Sequence, residues 1–562
     1  MGSSLKYALL LSVIWIIACV IVNPIGEFMI NDDYAFVSSL EKLTREGQLG
    51  STGKGPAHAS GGPSLVTHLA WGWLFTKIFG NSLTTLRLSV CFLGLLGVIW
   101  LFLIMKSLKA PDWMSLFASL TLMFNPLYFS QSFTFMTDIT FATLIIFSIY
   151  YLGLGIQRQN TALLILGLFF SFAGMLTRQL AIIIPAAFMI SCLVTSEGRR
   201  YGCFRGPLLT IAFVIGPWLA FEWFLSSIGS SPITKHEKLY DLFSYPFIKG
   251  FPDYPIFVMG QFAQSVLGYT AFLISPMIAL RFGEFSRSRL FWLFVVAASM
   301  LLVILEAAIL LGLINPPILL SRNVIYNFGI GPVLLKDSYL LGIPRTWSLS
   351  PALFYILVWW TIVCIGAMLV KLWESLSELY RSMIQNWSRQ PSFLSVLTLL
   401  AAGGYALIVV LTDLHDRYII PLCVLGLIWI CSCSPNLRDL VFNRRLLTIA
   451  SIPLIAMMLF SVLGTRDFIE IRRTVAKANY FLTTHLKANP CDFDGGFEFN
   501  GYHCYDMNHR AKSDYSWWWV KNENYVVTLG LLDGYQSVME FPFKRIIGPN
   551  GKVHILKPAQ NQ

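Results

Sequence analysis

Two carboxylates stand side by side in Asn31-Asp32-Asp33-Tyr34, just after an apolar run over residues 7–25. A transferase needs a base to take the proton from an acceptor hydroxyl or amine. Adjacent like charges push one carboxyl pKa up, toward the range where a base works near neutral pH. The same residues also make a good helix N-cap, so one carboxylate can cap while the other reacts. A second group is Leu414-His415-Asp416-Arg417-Tyr418, set between two apolar runs. Charged side chains there are costly without partners. Arg417 is suited to hold a phosphate by paired hydrogen bonds, with His415 and Tyr418 beside it. Arg178 in Thr177-Arg178-Gln179 is a second phosphate candidate or an interfacial anchor. Asp138 in Met136-Thr137-Asp138 is placed to cap a helix or to orient a basic group.

The elements that position these residues follow from composition. Of 562 residues, 56% are hydrophobic and only 13% charged, which excludes an ordinary soluble domain and implies a polytopic membrane protein. Apolar runs of spanning length lie at about 7–25, 82–105, 113–130, 138–156, 161–177, 180–195, 206–226, 262–280, 290–313, 352–371, 392–411, 416–433 and 446–463, giving about thirteen crossings. Residues 7–25 lack a small-residue cleavage site and read as an uncleaved first helix. The net charge of +11 points to no nucleic acid, because the basic residues cluster in short loops. Those loops hold Lys106 and Lys109, Arg199, Arg200 and Arg205, Arg281, Arg287 and Arg289, Arg381 and Arg389, and Arg438, Arg444 and Arg445. Their side is cytoplasmic by the positive-inside bias. The N-terminus is then cytoplasmic, and the acidic step and everything after about 464 are extracytoplasmic, in a plasma (inner) membrane.

Residues 1–464 read as a transmembrane domain with long outer loops at 26–81, 227–261 and 314–351, and such loops are usually functional. Residues 34–49 suit a helix lying along the interface. Residues 465–562 read as a small extracytoplasmic α+β domain, with helix at about 466–486 and strands at Tyr525–Leu529 and Val553–Leu556. Cys491 and Cys504 fall in this oxidisable compartment and are expected to form a disulfide closing a short glycine-containing loop.

Gly53-Lys54-Gly55 fails the P-loop spacing, and no histidines show metal-ligand spacing. The paired carboxylates can still hold a divalent ion as well as a proton, so a metal is left open. Two carboxylates, two arginines and a histidine therefore converge on one membrane face. That set suits a lipid-phosphate donor whose head group lies at the interface and whose tail stays among the membrane lipids.

Several motifs together resemble bacterial family 39 glycosyltransferases of the C-type membrane fold, relatives of protein O-mannosyltransferases and of the lipid A aminoarabinose transferase. They are Asn31-Asp32-Asp33-Tyr34-Ala35, Met136-Thr137-Asp138, Arg178-Gln179, Gly329-Ile330-Gly331-Pro332, Asp416-Arg417-Tyr418 and Asp494-Gly495-Gly496-Phe497-Glu498-Phe499-Asn500-Gly501. The resemblance implies a polyprenyl-phosphate sugar as donor and a catalytic base in the first outer loop. Here the base is Asp32 or Asp33; the family pattern is more often Asp-Glu, and the leading Asp favours Asp32. It further implies direct, inverting displacement onto an extracytoplasmic acceptor (protein, lipid or glycan), with Arg417 and Arg178 on the leaving phosphate. The rival expectation is a lipid-linked sugar flippase or transporter, for which Glu222 and Glu306 within spans are the best support.

Overall fold

The computed structural model describes residues 3–47, 65–227, 259–310, 324–326, 329–331, 351–384, 391–411, 415–433, 443–506, 508–510, 516 and 518–559. The glycine-rich stretch around Lys54 and most of loops 227–261 and 314–351 lie outside them. Among the described residues seven helices are long and apolar enough to cross a bilayer: Ser4–Val22, Leu83–Ser107, Thr137–Gln157, Arg205–Ser227, Tyr355–Ile384, Phe393–Leu411 and Arg444–Thr484. Three shorter apolar helices are Thr161–Met175, Gln179–Val194 and Arg289–Ile304. Apolar side chains such as Val20, Trp223 and Leu293 lie exposed on the outer faces. Apolar residues both inside and outside are what a lipid surround requires, and the chain is a multi-pass membrane protein.

Other apolar runs are broken helices. Residues 113–130 divide into Asp112–Met123 and Pro126–Gln131, parted where the Asn125 side chain accepts from the N–H groups of Leu127 and Tyr128. Residues 262–280 divide into Met259–Leu273 and Ser275–Leu280, with a proline in the first turn of the second piece. Helix Thr137–Gln157 is the most enclosed of the candidate spans. It crosses Thr161–Met175 so closely that a Cβ at Gly167 would lie 2.8 Å from the Leu152 nitrogen, so glycine is needed there.

Helix Arg444–Thr484 runs unbroken for 41 residues, from its Asn443 cap through Pro453 and past the 464/465 boundary drawn from the sequence. Its last turns are the floor of the C-terminal unit. Ile471, Val475, Ala478 and Leu482 recur at helical spacing and pack against Phe493, Val527, Val553 and Ile555. The three-stranded antiparallel sheet has Gly551–Pro558 in the centre, flanked by Val526–Thr528 and Tyr535–Phe543. Val527 pairs with Ile555, and Phe541 with Val553. Cys491 and Cys504 are joined in a disulfide, with Cα atoms 5.6 Å apart. Ile325–Tyr326 and Gly329–Ile330 form a small antiparallel hairpin beside the same helix.

Candidate functional site

The chain leaves its first helix through residues 23–30, and arginines fix that passage by its carbonyls. Arg87 donates to the Pro24 and Phe28 oxygens at 2.6 Å each, with its guanidinium 3.9 Å from the Phe28 ring centre. Arg473 donates to the Asn23 oxygen at 2.7 Å, and Arg472 to the Met29 oxygen at 3.2 Å. Asn31 then adopts φ +58, and helix Asp33–Glu46 begins.

The two carboxylates part company at this turn. Asp32 takes the N-cap position but makes no side-chain capping bond. Its side chain is 34% exposed, and its Oδ2 lies 3.0 Å from Nη2 of Arg417. Asp33 is buried, and its Oδ2 accepts from the Ile30 N–H at 3.2 Å. Burial pushes the Asp33 carboxyl up to about 7, against the opposing pull of the Arg87 guanidinium.

Arg417 lies in a short 3-10 turn, Asp416–Ile419. Asp416 organises that turn from within. Its carboxylate accepts the N–H groups of Val324 at 2.9 Å, Ile325 at 2.7 Å and Arg417 at 2.8 Å, which fastens the small hairpin to the loop. The Arg417 side chain is 9% exposed. Besides Asp32 it meets the Met136 sulfur at 4.0 Å, and its Nε has no hydrogen-bond partner. Burial works against its charge, but the nearby carboxylates of Asp138 and Asp32 outweigh burial and raise its pKa.

Arg178 pairs with Asp138 at 2.8 Å and donates from Nε to the Thr137 hydroxyl at 2.9 Å. The Tyr418 ring stands 5.5 Å from the guanidinium carbons of both Arg178 and Arg417, and the His415 ring is 5.2 Å from it. The structure thus brings Asp32, Arg417, Asp138, Arg178, Tyr418 and His415 into one cluster, with acids and bases alternating. Asp33 is buried next to Asp32 in the chain, and the Cys491–Cys504 disulfide lies in the C-terminal unit. Nearby His68 is buried between Thr140 and the Phe135 carbonyl; burial pushes it down to about 4, so it is neutral.

Sequence reasoning gave no role to the support from the C-terminal unit. Glu498 accepts the Asn31 N–H at 3.0 Å and pairs with buried Arg472 at 2.8 Å. A Cβ at Gly501 would stand 2.7 Å from the Tyr34 ring. The Tyr34 ring meets Phe497 edge-on at 5.2 Å, and Tyr502 donates to Glu41 at 2.8 Å. The one signal was the run Asp494–Gly501 itself, whose glycines mark close backbone approach.

Below the acidic step a small pocket is lined by Asn31, Gln131, Thr465, Glu498, Phe468 and Gly331. Among the described residues no three His, Cys, Asp or Glu side chains gather in a way that could hold a metal ion. Asp32 is paired with Arg417, and Asp33 is buried on the Ile30 N–H.

Three solved structures are similar in outline. ArnT from Cupriavidus metallidurans bound to undecaprenyl phosphate is 10% identical, with 99% of each chain covered and a TM-score of 0.43. The apo form of ArnT from Cupriavidus metallidurans is 12% identical, with 100% of each covered and a TM-score of 0.40. The Archaeoglobus fulgidus oligosaccharyltransferase, tethered to an acceptor peptide, is 13% identical, covering 93% of this chain and 61% of that one at a TM-score of 0.43. No curated protein matches the chain significantly. Residues 66–221, which hold Asp138 and Arg178, match the family model described as dolichyl-phosphate-mannose-protein mannosyltransferase, so over that stretch the chain is similar to the mannosyltransferases its motifs resemble.

Proposed function

We propose that this protein is a membrane glycosyltransferase that moves a sugar from a polyprenyl-phosphate donor to an extracytoplasmic acceptor by one inverting displacement. The observation that carries the reading is the Asp32–Arg417 pair: a partly exposed carboxylate against a nine-tenths-buried guanidinium that still has an unpartnered N–H. The guanidinium has five N–H donors in a planar fork, so it can keep one on Asp32 and offer others to a phosphate. The family match over residues 66–221 supports the same chemistry.

In this reading Asp32 takes the proton of the acceptor hydroxyl or amine. The acceptor atom bonds to the anomeric carbon as the carbon–oxygen bond to the phosphate breaks. The electron pair leaves with the phosphate, where Arg417 and Arg178 meet the growing negative charge. The active face lies outside the plasma membrane, with the N-terminus inside.

The test is release of undecaprenyl phosphate from undecaprenyl-phosphate sugars by the full chain in membranes. Steady release that depends on Asp32 is the expected result. Movement of the intact lipid across the bilayer without cleavage would replace this reading with a flippase.

A further inference from the structure

The pocket below the acidic step holds two polar groups that the protein leaves unsatisfied. Gln131 is 5% exposed and its Oε1 has no hydrogen-bond partner. Thr465 is 1% exposed and its hydroxyl has none either. Both line the pocket, together with Asn31, the residue before Asp32. Buried polar groups are normally paired, and leaving one unpaired is costly. Two in one cavity beside a candidate base point to a ligand that completes them.

Size and charge restrict what that ligand is. The free space is about 20 Å³, room for one water-sized group and far too little for a sugar ring. The one charged residue in the lining, Glu498, is already engaged by Arg472 and the Asn31 N–H. Among the described residues of the lining, no free carboxylate therefore waits for an ammonium group, and no cation waits for a phosphate. A neutral hydroxyl fits: it donates to the Gln131 oxygen and exchanges a hydrogen bond with the Thr465 hydroxyl.

The roof of the pocket ties it to the phosphate site. Val324, Ile330 and Gly331 of the small hairpin close one side, and Asp416 holds that hairpin by the Val324 and Ile325 N–H groups. Arg417 follows Asp416 directly. In a single displacement the transferred sugar must lie between the departing phosphate and the base, and Asn31 and the hairpin join this pocket to the residues that would hold both.

Resting on the function proposed above, we infer that Gln131 and Thr465 read one hydroxyl of the transferred sugar, and that this sugar is neutral at that position. A site built to pair a hydroxyl rejects the analogue lacking it by up to about 10⁴-fold in kcat/KM.

The probes are undecaprenyl-phosphate mannose, glucose and galactose, each with its set of monodeoxy analogues, followed by undecaprenyl phosphate release from membranes containing the full chain. The wild-type protein is expected to reject one deoxy position strongly. Gln131→Leu and Thr465→Val should lose kcat/KM for the parent sugar and accept that deoxy analogue nearly as well. Thr465→Ser should restore discrimination. The melting temperature of both apolar variants should stay level or rise, because an unpaired polar group has been removed. Discrimination that survives in both variants would overturn the inference, and a fall in melting temperature with unchanged discrimination would assign the pocket to a structural water. If the wild-type protein cleaves none of the parent sugars, it is the glycosyltransferase reading that fails.

Discussion

A carboxylate acts as a base only where substrate can reach it, and Asp32 is one-third exposed while Asp33 is buried. Asp32→Asn is therefore expected to lower turnover about 10²- to 10⁴-fold, measured as polyprenyl phosphate release, with the fold retained. Asp33→Asn should instead act on stability. Its folded pKa, near 7, lies above the ordinary value of 3.8, so the folded state binds the extra proton between those limits. Stability then falls as pH rises from about 4 to about 7 and is level above that range. Asp33→Asn should flatten that decline and raise the melting temperature at pH 8; an unchanged profile would remove Asp33 from this role. Arg417→Lys keeps a charge but loses the planar fork, so donor affinity and the chemical step should both drop, and Arg417→Ala should drop them further. If neither measurement moves, the phosphate lies elsewhere, with Arg178 the next place to look. These residues were legible in the sequence because charges flanking apolar runs are costly and so must serve something. Arg87 and Arg472 were not, because their partners are backbone carbonyls and a glutamate far along the chain. Gln131 and Thr465 gave no signal, since an unsatisfied polar atom is visible only once its surroundings are known.

At the scale of elements, the helix-forming runs were readable from hydropathy, but their breaks were not. The 113–130 run divides because Asn125 competes for the backbone just before Pro126. Helix Val66–Phe79 went unread inside the supposed loop 26–81, since its 14 residues are too few to span a bilayer. The hairpin near Asp416 was visible only as the motif Gly329-Ile330-Gly331. Gly331 has φ +81, and a Cβ there would collide with the Phe468 ring. Gly331→Ala should cost about 1–3 kcal/mol from backbone conformation alone, read as a lowered melting temperature, and should impair turnover through the displaced hairpin. The helix Phe497–Cys504 is braced at its end by the disulfide and carries Glu498, which holds the Asn31 N–H. Cys491→Ser with Cys504→Ser should loosen that brace, seen as faster hydrogen exchange at the Asn31 amide; protection equal to wild type would make the bridge irrelevant to the site.

For the whole molecule, the distribution of basic loops gives an expected orientation that labelling can test. A cysteine placed at the exposed Glu540 of the sheet should react with an impermeant reagent added from outside intact cells, and one placed at Arg200 should not. The reverse pattern would put the acidic step inside and exclude an extracytoplasmic acceptor. The long helix Arg444–Thr484 gives this geometry a further meaning. At 1.5 Å per residue its 41 residues measure about 60 Å, twice the roughly 30 Å of a hydrocarbon core. Its C-terminal half carries Arg472 and Arg473, which hold the carbonyls of Met29 and Asn23, so the stretch before Asp32 hangs from this helix. Such a rod behaves as a ruler. Where the bilayer thins or thickens, the rod must tilt or shift, and the acidic step moves relative to a lipid phosphate that stays with the head groups. On the function proposed above, turnover is then expected to pass through a maximum across vesicles of increasing acyl chain length.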